Sequence, residues 1–292
     1  MKLTALMPAR NEAWVIGLSA RVALQWCDEL IVLNHASTDK TADIVMHIAS
    51  EHFGRVLLIG ESDPKWNEMQ QRQHLLDAAR VRKADMVAIV DADEILTGNL
   101  LDAQRSMFMC GSGMMLQLPG YNLRGGLNRY HANGVWGKRW FSVAFKDNER
   151  FRWWPTDRGG ETYHKREGFG PKLNDYKPIA QGRGGVMHLW GACERRLTAK
   201  HALYKIIERI RGSKSITEID REYSWWKTGC DPRTEPHTWQ FADVPTEWWE
   251  PYKNLMQYFD LHAELWQETE CKRLIGLHGR EMFKGLDLFG LV

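Results

Sequence analysis

The chain has 292 residues, 43% of them hydrophobic and 26% charged. That is long enough to bury a substantial core as one large domain or as a domain plus an extension. A formal net charge of +2 leaves no global basic field that would demand a nucleic-acid partner. The cysteines (Cys27, Cys110, Cys193, Cys230 and Cys271) are odd in number, widely spaced and form no CxxC pair. This pattern argues against a disulfide framework or a zinc site and for a reducing compartment.

The elements alternate from the start. Lys2 to Met7 is an apolar run stopped by Pro8, as expected of a buried strand. Glu12 to Trp26 carries Ile16, Ala20, Ala23 and Leu24 at helical spacing. Glu29 to Leu33 reads as a second strand, and Ser37 or Thr38 as the cap of a helix through Ala42, Ile44, Val45 and Ile48. Arg55 to Ile59 gives a third strand, Glu68 to Arg82 a third helix and Asp85 to Val90 a fourth strand. This order predicts a parallel α/β sheet covered on both faces, with ligands bound beyond the carboxyl ends of the strands. Arg10-Asn11, Asn34-His35 and Asp91-Ala92-Asp93-Glu94 all sit at those ends.

Past Met114 the pattern loosens. Strands are expected at Met114 to Leu118, Arg139 to Ala144 and Gly185 to Trp190, separated by the long loops Tyr121 to Trp136 and Trp153 to Gly170. Glu194 to Arg211 is a strong amphipathic helix, and a further helix is expected from Pro251 to about Leu274. The 14 tryptophans include the pairs Trp153-Trp154, Trp225-Trp226 and Trp248-Trp249. Such indoles serve as core packing or as flat platforms for sugar rings and bases.

The segment Asp91-Ala92-Asp93, at the exit of an apolar strand, directs two carboxylates toward one cleft. Hard divalent cations take such oxygen ligands and bridge to a diphosphate, whose charge they neutralise as Lewis acids. Together with Pro8-Ala9-Arg10-Asn11-Glu12 and Ser37-Thr38-Asp39-Lys40-Thr41, this segment resembles the ordered motifs of family-2 glycosyltransferases of GT-A fold. The resemblance is good over the first hundred or so residues, looser to about residue 210, and absent beyond.

The resemblance implies a GT-A (Rossmann-like) fold with a mostly parallel central sheet, and the sequence past it reads as a mainly helical C-terminal extension. Residues 1–212 would form the glycosyltransferase domain, with 1–113 binding nucleotide-sugar and 114–212 serving acceptor and metal, and 213–292 would be the extension. It further implies that Pro8, Ala9, Arg10 and Glu12 line the nucleotide pocket, that Asp39 lies near the base, and that Arg72 faces the donor. Asp91 would hold the ribose, and Asp93 would hold Mn²⁺ or Mg²⁺. His188 resembles the family's late metal ligand.

A helix cap for Ser37 or Asp39 and a surface salt bridge for Arg10 or Arg72 are the structural alternatives. Where the family has an aspartate closing strand two, this chain has Asn34, which both accepts and donates. UDP-sugar is the default donor.

Inverting transfer needs a carboxylate to deprotonate the acceptor hydroxyl. Asp147, Glu149, Asp157 and Glu161 are the candidates, with Glu161 preferred for its adjacent glycines and Asp157 second. The expected acceptor is a glycan or lipid-linked sugar. A hydroxylated base in DNA is the rival, prompted by Lys200, Lys205, Arg209, Arg211 and Lys214 beside many aromatics. Sugar nucleotidyltransfer and a non-catalytic nucleotide-sugar-binding module are the other readings. Pro8, Arg10, Asn11 and Glu12 interrupt the apolar start too early for a secretory signal, and no apolar run spans a bilayer, so a cytoplasmic location is expected.

Overall fold

Strand and helix alternate through the first ninety residues in the order expected from the sequence. They are β1 (Leu3–Ala9), α1 (Ile16–Trp26), β2 (Glu29–His35), α2 (Thr41–Glu51), β3 (Val56–Glu61), α3 (Glu68–Val81) and β4 (Met86–Ile89). The computed structural model describes residues 1–64, 67–153, 173–229 and 238–291. There follow β5 (Glu94–Leu96), α4 (Gln104–Phe108), β6 (Met114–Asn122), β7 (Arg129–His131), α5 (Gly134–Gly137), β8 (Arg139–Lys146), β9 (Asn174–Tyr176) and β10 (Val186–His188). The chain closes with α6 (Glu194–Arg211), α7 (Ile216–Thr228), β11 (Phe241–Asp243), α8 (Thr246–Trp249) and α9 (Trp266–His278). It divides into two units: Met1–Gly120, Arg139–Met187 and Pro245–His262 form the first, and Tyr121–Lys138, His188–Val244 and Ala263–Val292 the second.

The main sheet runs β3-β2-β1-β4-β8-β6-β10-β5, with β9 on β6. From β3 to β4 every pairing is parallel, whereas β8 lies antiparallel to both β4 and β6. The sheet is therefore parallel in its first half and mixed beyond β4, which the regular early alternation could not announce. Strand order reverses between β1 and β4. In open α/β sheets that switch point opens a crevice at the strands' carboxyl ends.

Helix α3 is positioned by its sequence. The Asn67 side chain accepts from Gln70 N at 3.1 Å and so caps the first turn. Met69, Leu75, Leu76 and Ala79 pack into a core with Leu6, Ile31, Val87, Phe145 and Trp153. Glu68 and Arg72 recur at the same helical spacing and are buried with them. The entry to β10 is equally constrained. Gly185 has φ +153°, and a Cβ there would stand 2.0 Å from the Pro119 carbonyl oxygen. Its N–H donates to Thr97 Oγ1 at 2.9 Å, and its carbonyl accepts from Thr97 N at 2.8 Å.

The single helix expected from Pro251 to Leu274 does not form. A 3-10 turn over Glu250–Tyr258 ends at extended Phe259, and α9 begins only at Trp266. Tertiary contacts override the helical pattern here. Asp260 N donates to the Trp14 carbonyl at 2.8 Å, the Arg21 guanidinium lies 3.7 Å from the Tyr258 ring centroid, and Asp260 Oδ1 accepts from His262 N at 2.9 Å. Tyr252, fully buried, donates its hydroxyl to the Leu96 carbonyl at 2.9 Å.

In the second unit, β7 and β11 pair antiparallel, and α6, α7 and α9 share a core of Ala202, Leu203, Ile206, Ile219, Cys271 and Ile275. Lys205 lies within this unit at 0% exposure. Its Nζ donates to Asp220 Oδ1 at 2.8 Å, Ser224 Oγ at 2.7 Å and the Asp287 carbonyl at 2.8 Å, joining α6, α7 and the C-terminal segment. No helix among the described residues is long and apolar enough to cross a membrane. Removing one partner of a buried ion pair strands the other charge. Asp220→Ala is therefore expected to lower unfolding free energy by about 3 kcal/mol, read as a lower denaturant midpoint with unchanged activity.

Candidate functional site

The sequence motifs at the exits of β1 and β2 fold as one object. Asn11, at φ 54°, donates its backbone N–H to Ser37 Oγ at 3.0 Å, while its side-chain Oδ1 accepts from Thr38 N at 2.7 Å. Glu12 N donates to Thr41 Oγ1 at 2.8 Å, and Ala13 N donates to Asp39 Oδ2 at 3.0 Å. The other Asp39 oxygen accepts from Thr41 N at 2.9 Å. Thus Asp39, rather than Ser37 or Thr38, satisfies the first turn of α2. The N-cap position, Lys40, contributes no side-chain bond, and Ser37 is committed to Asn11 instead.

Arg10 reaches the segment after β3, donating from Nη1 to the Pro64 carbonyl at 2.6 Å. His35, 1% exposed, bonds through Nε2 to the neighbouring Asp63 carbonyl at 2.8 Å. Pro8 is half-buried and Ala9 buried at the end of β1. Glu12 accepts from Trp14 Nε1 through Oε2. Asn34 Oδ1 is buried and has no hydrogen-bond partner among the described residues.

Across the switch point, Asp91, Ala92 and Asp93 make the turn from β4 to β5. Its backbone is held twice: Glu94 N donates to the Asp91 carbonyl at 2.9 Å, and Asp91 N donates to Glu94 Oε2 at 3.0 Å. Arg72 donates from Nη2 to Asp91 Oδ1 at 2.9 Å and from Nε to Glu68 Oε1 at 2.8 Å. Burial on its own disfavours this guanidinium's charge. The fields and hydrogen bonds of Asp91 and Glu68 more than offset that, so its pKa rises above the ordinary arginine value. The geometry brings together Arg72 and Asp91, and makes Arg72 a buried ion pair rather than the surface bridge that sequence alone allowed.

The sequence reading placed Glu94 at the strand exit and Glu68 at a helix start but gave neither a role. Their signal was spacing: Glu68 stands one helical turn before Arg72, and Glu94 three residues after Asp91.

His188 belongs to the second unit, where its Nδ1 lies 3.0 Å from Asn122 Oδ1. Glu161 and Asp157 lie outside the described residues. Asp147, another candidate base, is bonded to Arg80 through both oxygens, at 2.7 and 2.9 Å. Burial raises the Asp147 carboxyl, but Arg80's hydrogen bonds and charge prevail and hold it below its ordinary range. A carboxylate so stabilised is a poor proton acceptor.

At least three of the five basic residues from Lys200 to Lys214 have internal partners. Lys205 is buried, Arg209 donates from Nε to the Met282 carbonyl at 2.9 Å, and Lys214 pairs with Glu222 at 2.6 Å. The tryptophans divide in the same sense, with Trp153, Trp226 and Trp248 core residues at 2% exposure or less. Among the described residues no group of three or more His, Cys, Asp or Glu side chains could hold a metal ion.

No protein-family model matches the chain, and no curated protein matches it. Among solved structures it is similar to S. aureus TarS 1–349, at 15% identity and a TM-score of 0.43, over 89% of this chain and 80% of that one. The complex of TarS 1–349 with UDP-GlcNAc aligns at 20% identity and TM-score 0.34, over 44% of this chain and 37% of that one. Glucosyl-3-phosphoglycerate synthase from Mycobacterium tuberculosis, bound to Mn²⁺, UDP and phosphoglyceric acid, aligns at 21% identity and TM-score 0.31. That match covers 41% of this chain and 43% of the synthase. In both of these complexes the chain spans less than half of its neighbour's length.

Two outcomes follow from these ion pairs. Arg72→Met leaves buried Glu68 without its cation, and is expected to cost about 3–5 kcal/mol in denaturant unfolding. Glu68→Gln in the same chain should recover part of that. For Asp147 the folded pKa is depressed, so its stabilisation is present above the ordinary carboxylate pKa and fades as pH falls through the lowered value. Arg80→Gln should flatten the acid limb of a stability–pH curve.

Proposed function

We propose that the chain is a metal-dependent inverting glycosyltransferase of the family-2, GT-A type, taking a UDP-sugar as donor and a hydroxyl of a glycan or lipid-linked sugar as acceptor. The observation that carries this reading is the Arg72–Asp91 pair at the β1/β4 switch point, beside Asp93 on a turn fixed by Glu94. A parallel sheet offers its ligand crevice at that place. The buried Arg72 guanidinium fixes Asp91 Oδ1 at 2.9 Å and so orients a carboxylate suited to a hydroxyl-bearing ligand such as a ribose.

Asp93 is the carboxylate assigned to the cation. Magnesium-like ions bind through one or two carboxylates, with substrate phosphates and water completing the shell, and need no all-protein cage. This fits the donor set of the turn, where two carboxylates flank a single residue. When bound, the cation would neutralise charge developing on the departing diphosphate. Pro8, Ala9, Arg10 and Glu12 line the nucleotide side. Asn34 Oδ1, which has no hydrogen-bond partner among the described residues, suits an N–H on the base edge. Asp39 belongs to this pocket as the residue that locks its two loops together. Glu161, with Asp157 second, is assigned the removal of the acceptor proton.

A thermal-shift series with nucleoside diphosphates, with and without Mn²⁺, tests the reading. At a hundredfold excess over Kd a ligand adds about 2.7 kcal/mol, a Tm rise of about 5 °C or more. UDP with Mn²⁺ should give that rise, and Asp93→Ala should remove its dependence on Mn²⁺. No response to any nucleoside diphosphate, or normal donor turnover by Asp93→Ala, overturns the proposal.

A further inference from the structure

Arg124 and Arg129, both in the second unit, face each other across the turn that leads into β7. Leu123 and Tyr130 form an antiparallel bridge, and Arg124 N donates to the Arg129 carbonyl at 3.1 Å, so the two arginines are direct cross-strand partners. Side chains at such positions leave the same face with their Cβ atoms about 5 Å apart, and like charges placed there repel. The register is held from outside the turn. Leu123 N donates to the His188 carbonyl at 3.0 Å, Gly125 N to the Gly191 carbonyl at 2.9 Å, and Val244 N to the Asn128 carbonyl at 2.9 Å. Gly125, at φ +63°, leaves room for the Arg129 side chain, since a Cβ there would stand 2.8 Å from Nη2.

The fold gives this pair little neutralising charge. Arg124 is 8% exposed, and its Nη2 donates to the Trp226 carbonyl at 3.1 Å. Its guanidinium lies 5.0 Å from the Trp226 ring centroid and 5.5 Å from that of Trp239. The Glu194 carboxylate is 3.9 Å away, too far for a hydrogen bond, and at 68% exposure it is largely screened by water. Arg129 gives its Nε–H to the Arg124 carbonyl at 2.9 Å and sets its guanidinium 4.9 Å from the Phe241 ring centroid. Asp243 stands opposite Arg129 on β11 without forming an ion pair with it. Among the described residues, Arg124 Nε and Nη1 and both terminal nitrogens of Arg129 make no hydrogen bond. Burial pulls the Arg124 pKa below the ordinary arginine value; Glu194 opposes this in part, and the charge of Arg129 adds to it.

A buried guanidinium with no buried counter-charge, set against a second guanidinium, is destabilising until an anion completes it. The planar fork of arginine matches paired oxygens of phosphate and carboxylate groups. We propose that Arg124 and Arg129 form an oxyanion-binding site, with Arg124 as the buried anchor and Arg129 as the exposed arm, which takes the phosphoryl or carboxylate group of a ligand. Glu194, when ionised, competes with that ligand for Arg124. The site requires neither the donor nor the cation of the preceding reading.

The test titrates inorganic phosphate, at constant ionic strength and without UDP or Mn²⁺, into the full chain labelled with ¹⁵N-arginine. The Nε–H signals of Arg124 and Arg129 are assigned by their loss in Arg124→Gln and Arg129→Gln. Both signals should shift with phosphate and saturate together. Affinity should fall about 10- to 100-fold in either variant, as expected for losing a hydrogen bond to a charged group, and should rise in Glu194→Gln. A parallel titration with acetate separates the two chemistries. Saturation by phosphate alone identifies a phosphoryl ligand, and equal or tighter binding of acetate a carboxylate.

No saturable shift with either anion overturns the proposal. So does unchanged affinity in Arg129→Gln, a variant at an exposed position that should fold even if Arg124→Gln does not. Shifts at Arg129 with Arg124 unmoved overturn the anchoring role of Arg124. None of these outcomes bears on the glycosyltransferase reading, which is tested with nucleoside diphosphates.

Discussion

A guanidinium removed from water must be paid for by fixed negative charge, and at Arg72 the chain supplies two carboxylates. Glu68, one helical turn earlier, and Asp91, at the exit of β4, take separate nitrogens of the same side chain. Arg72 faces inward because its helical face is shared with Met69, Leu75, Leu76 and Ala79, whose burial sets the rotation of α3. The apolar stripe thus decides where the charge goes, and the charge decides where the Asp91 carboxylate is held. Core packing and the candidate site are one problem here. A change to the stripe that rotated α3 would uncouple Arg72 from Asp91 without touching either residue.

The same economy governs the opposite side of the switch point. Parallel strands leave their exits as loops with unpaired backbone donors, which must be satisfied or face water. The N–H groups of Asn11, Glu12 and Ala13 are satisfied by Ser37, Thr41 and Asp39 in turn. This gives the co-occurrence of the two motifs a physical basis, since each supplies what the other lacks. Asn11 sits at positive φ, which asparagine tolerates better than most residues, and its own oxygen returns a bond to Thr38. Asp39 is consequently a structural residue that ties the two strand-exit loops together.

The parts legible in sequence were those governed by local periodicity. β1 to β4 and the helices between them were readable because buried parallel strands are short continuous apolar runs and the covering helices carry apolar faces. Helix α6 was readable to the residue, Glu194–Arg211, because an 18-residue amphipathic pattern ends at Gly212 in the left-handed region. Helix α7 carried a capping box, Ser215 with Glu218, that went unused because its exposed residues are largely charged. The break at Phe259 lay outside local reasoning altogether, since its cause is Trp14, some 245 residues earlier in the chain. Lys205 shows the same limit from the other direction. A lysine on a polar-looking helix reads as solvated, and only the third partner, at Asp287, reveals it as buried.

Long-range partners also separate the residue types that sequence can propose from the states that chemistry can use. His188 was visible as a strand-borne histidine, yet nothing near it in sequence says what its ring meets. Its Nδ1 meets Asn122, whose amide is held by an indole that can only donate and a carbonyl that can only accept. Asp91 was likewise visible as the first acid of a DxD pattern, while the direction of its Oδ1 is set by Arg72 on another element. In each case a functional group is specified by a neighbour whose own bonding leaves it one orientation. A buried polar network with every member satisfied has few alternative arrangements, because each change leaves an unmet donor or acceptor worth about 1–3 kcal/mol. That penalty keeps the buried Asn122 amide in one orientation, and preorganisation of this kind lowers the free-energy cost of binding.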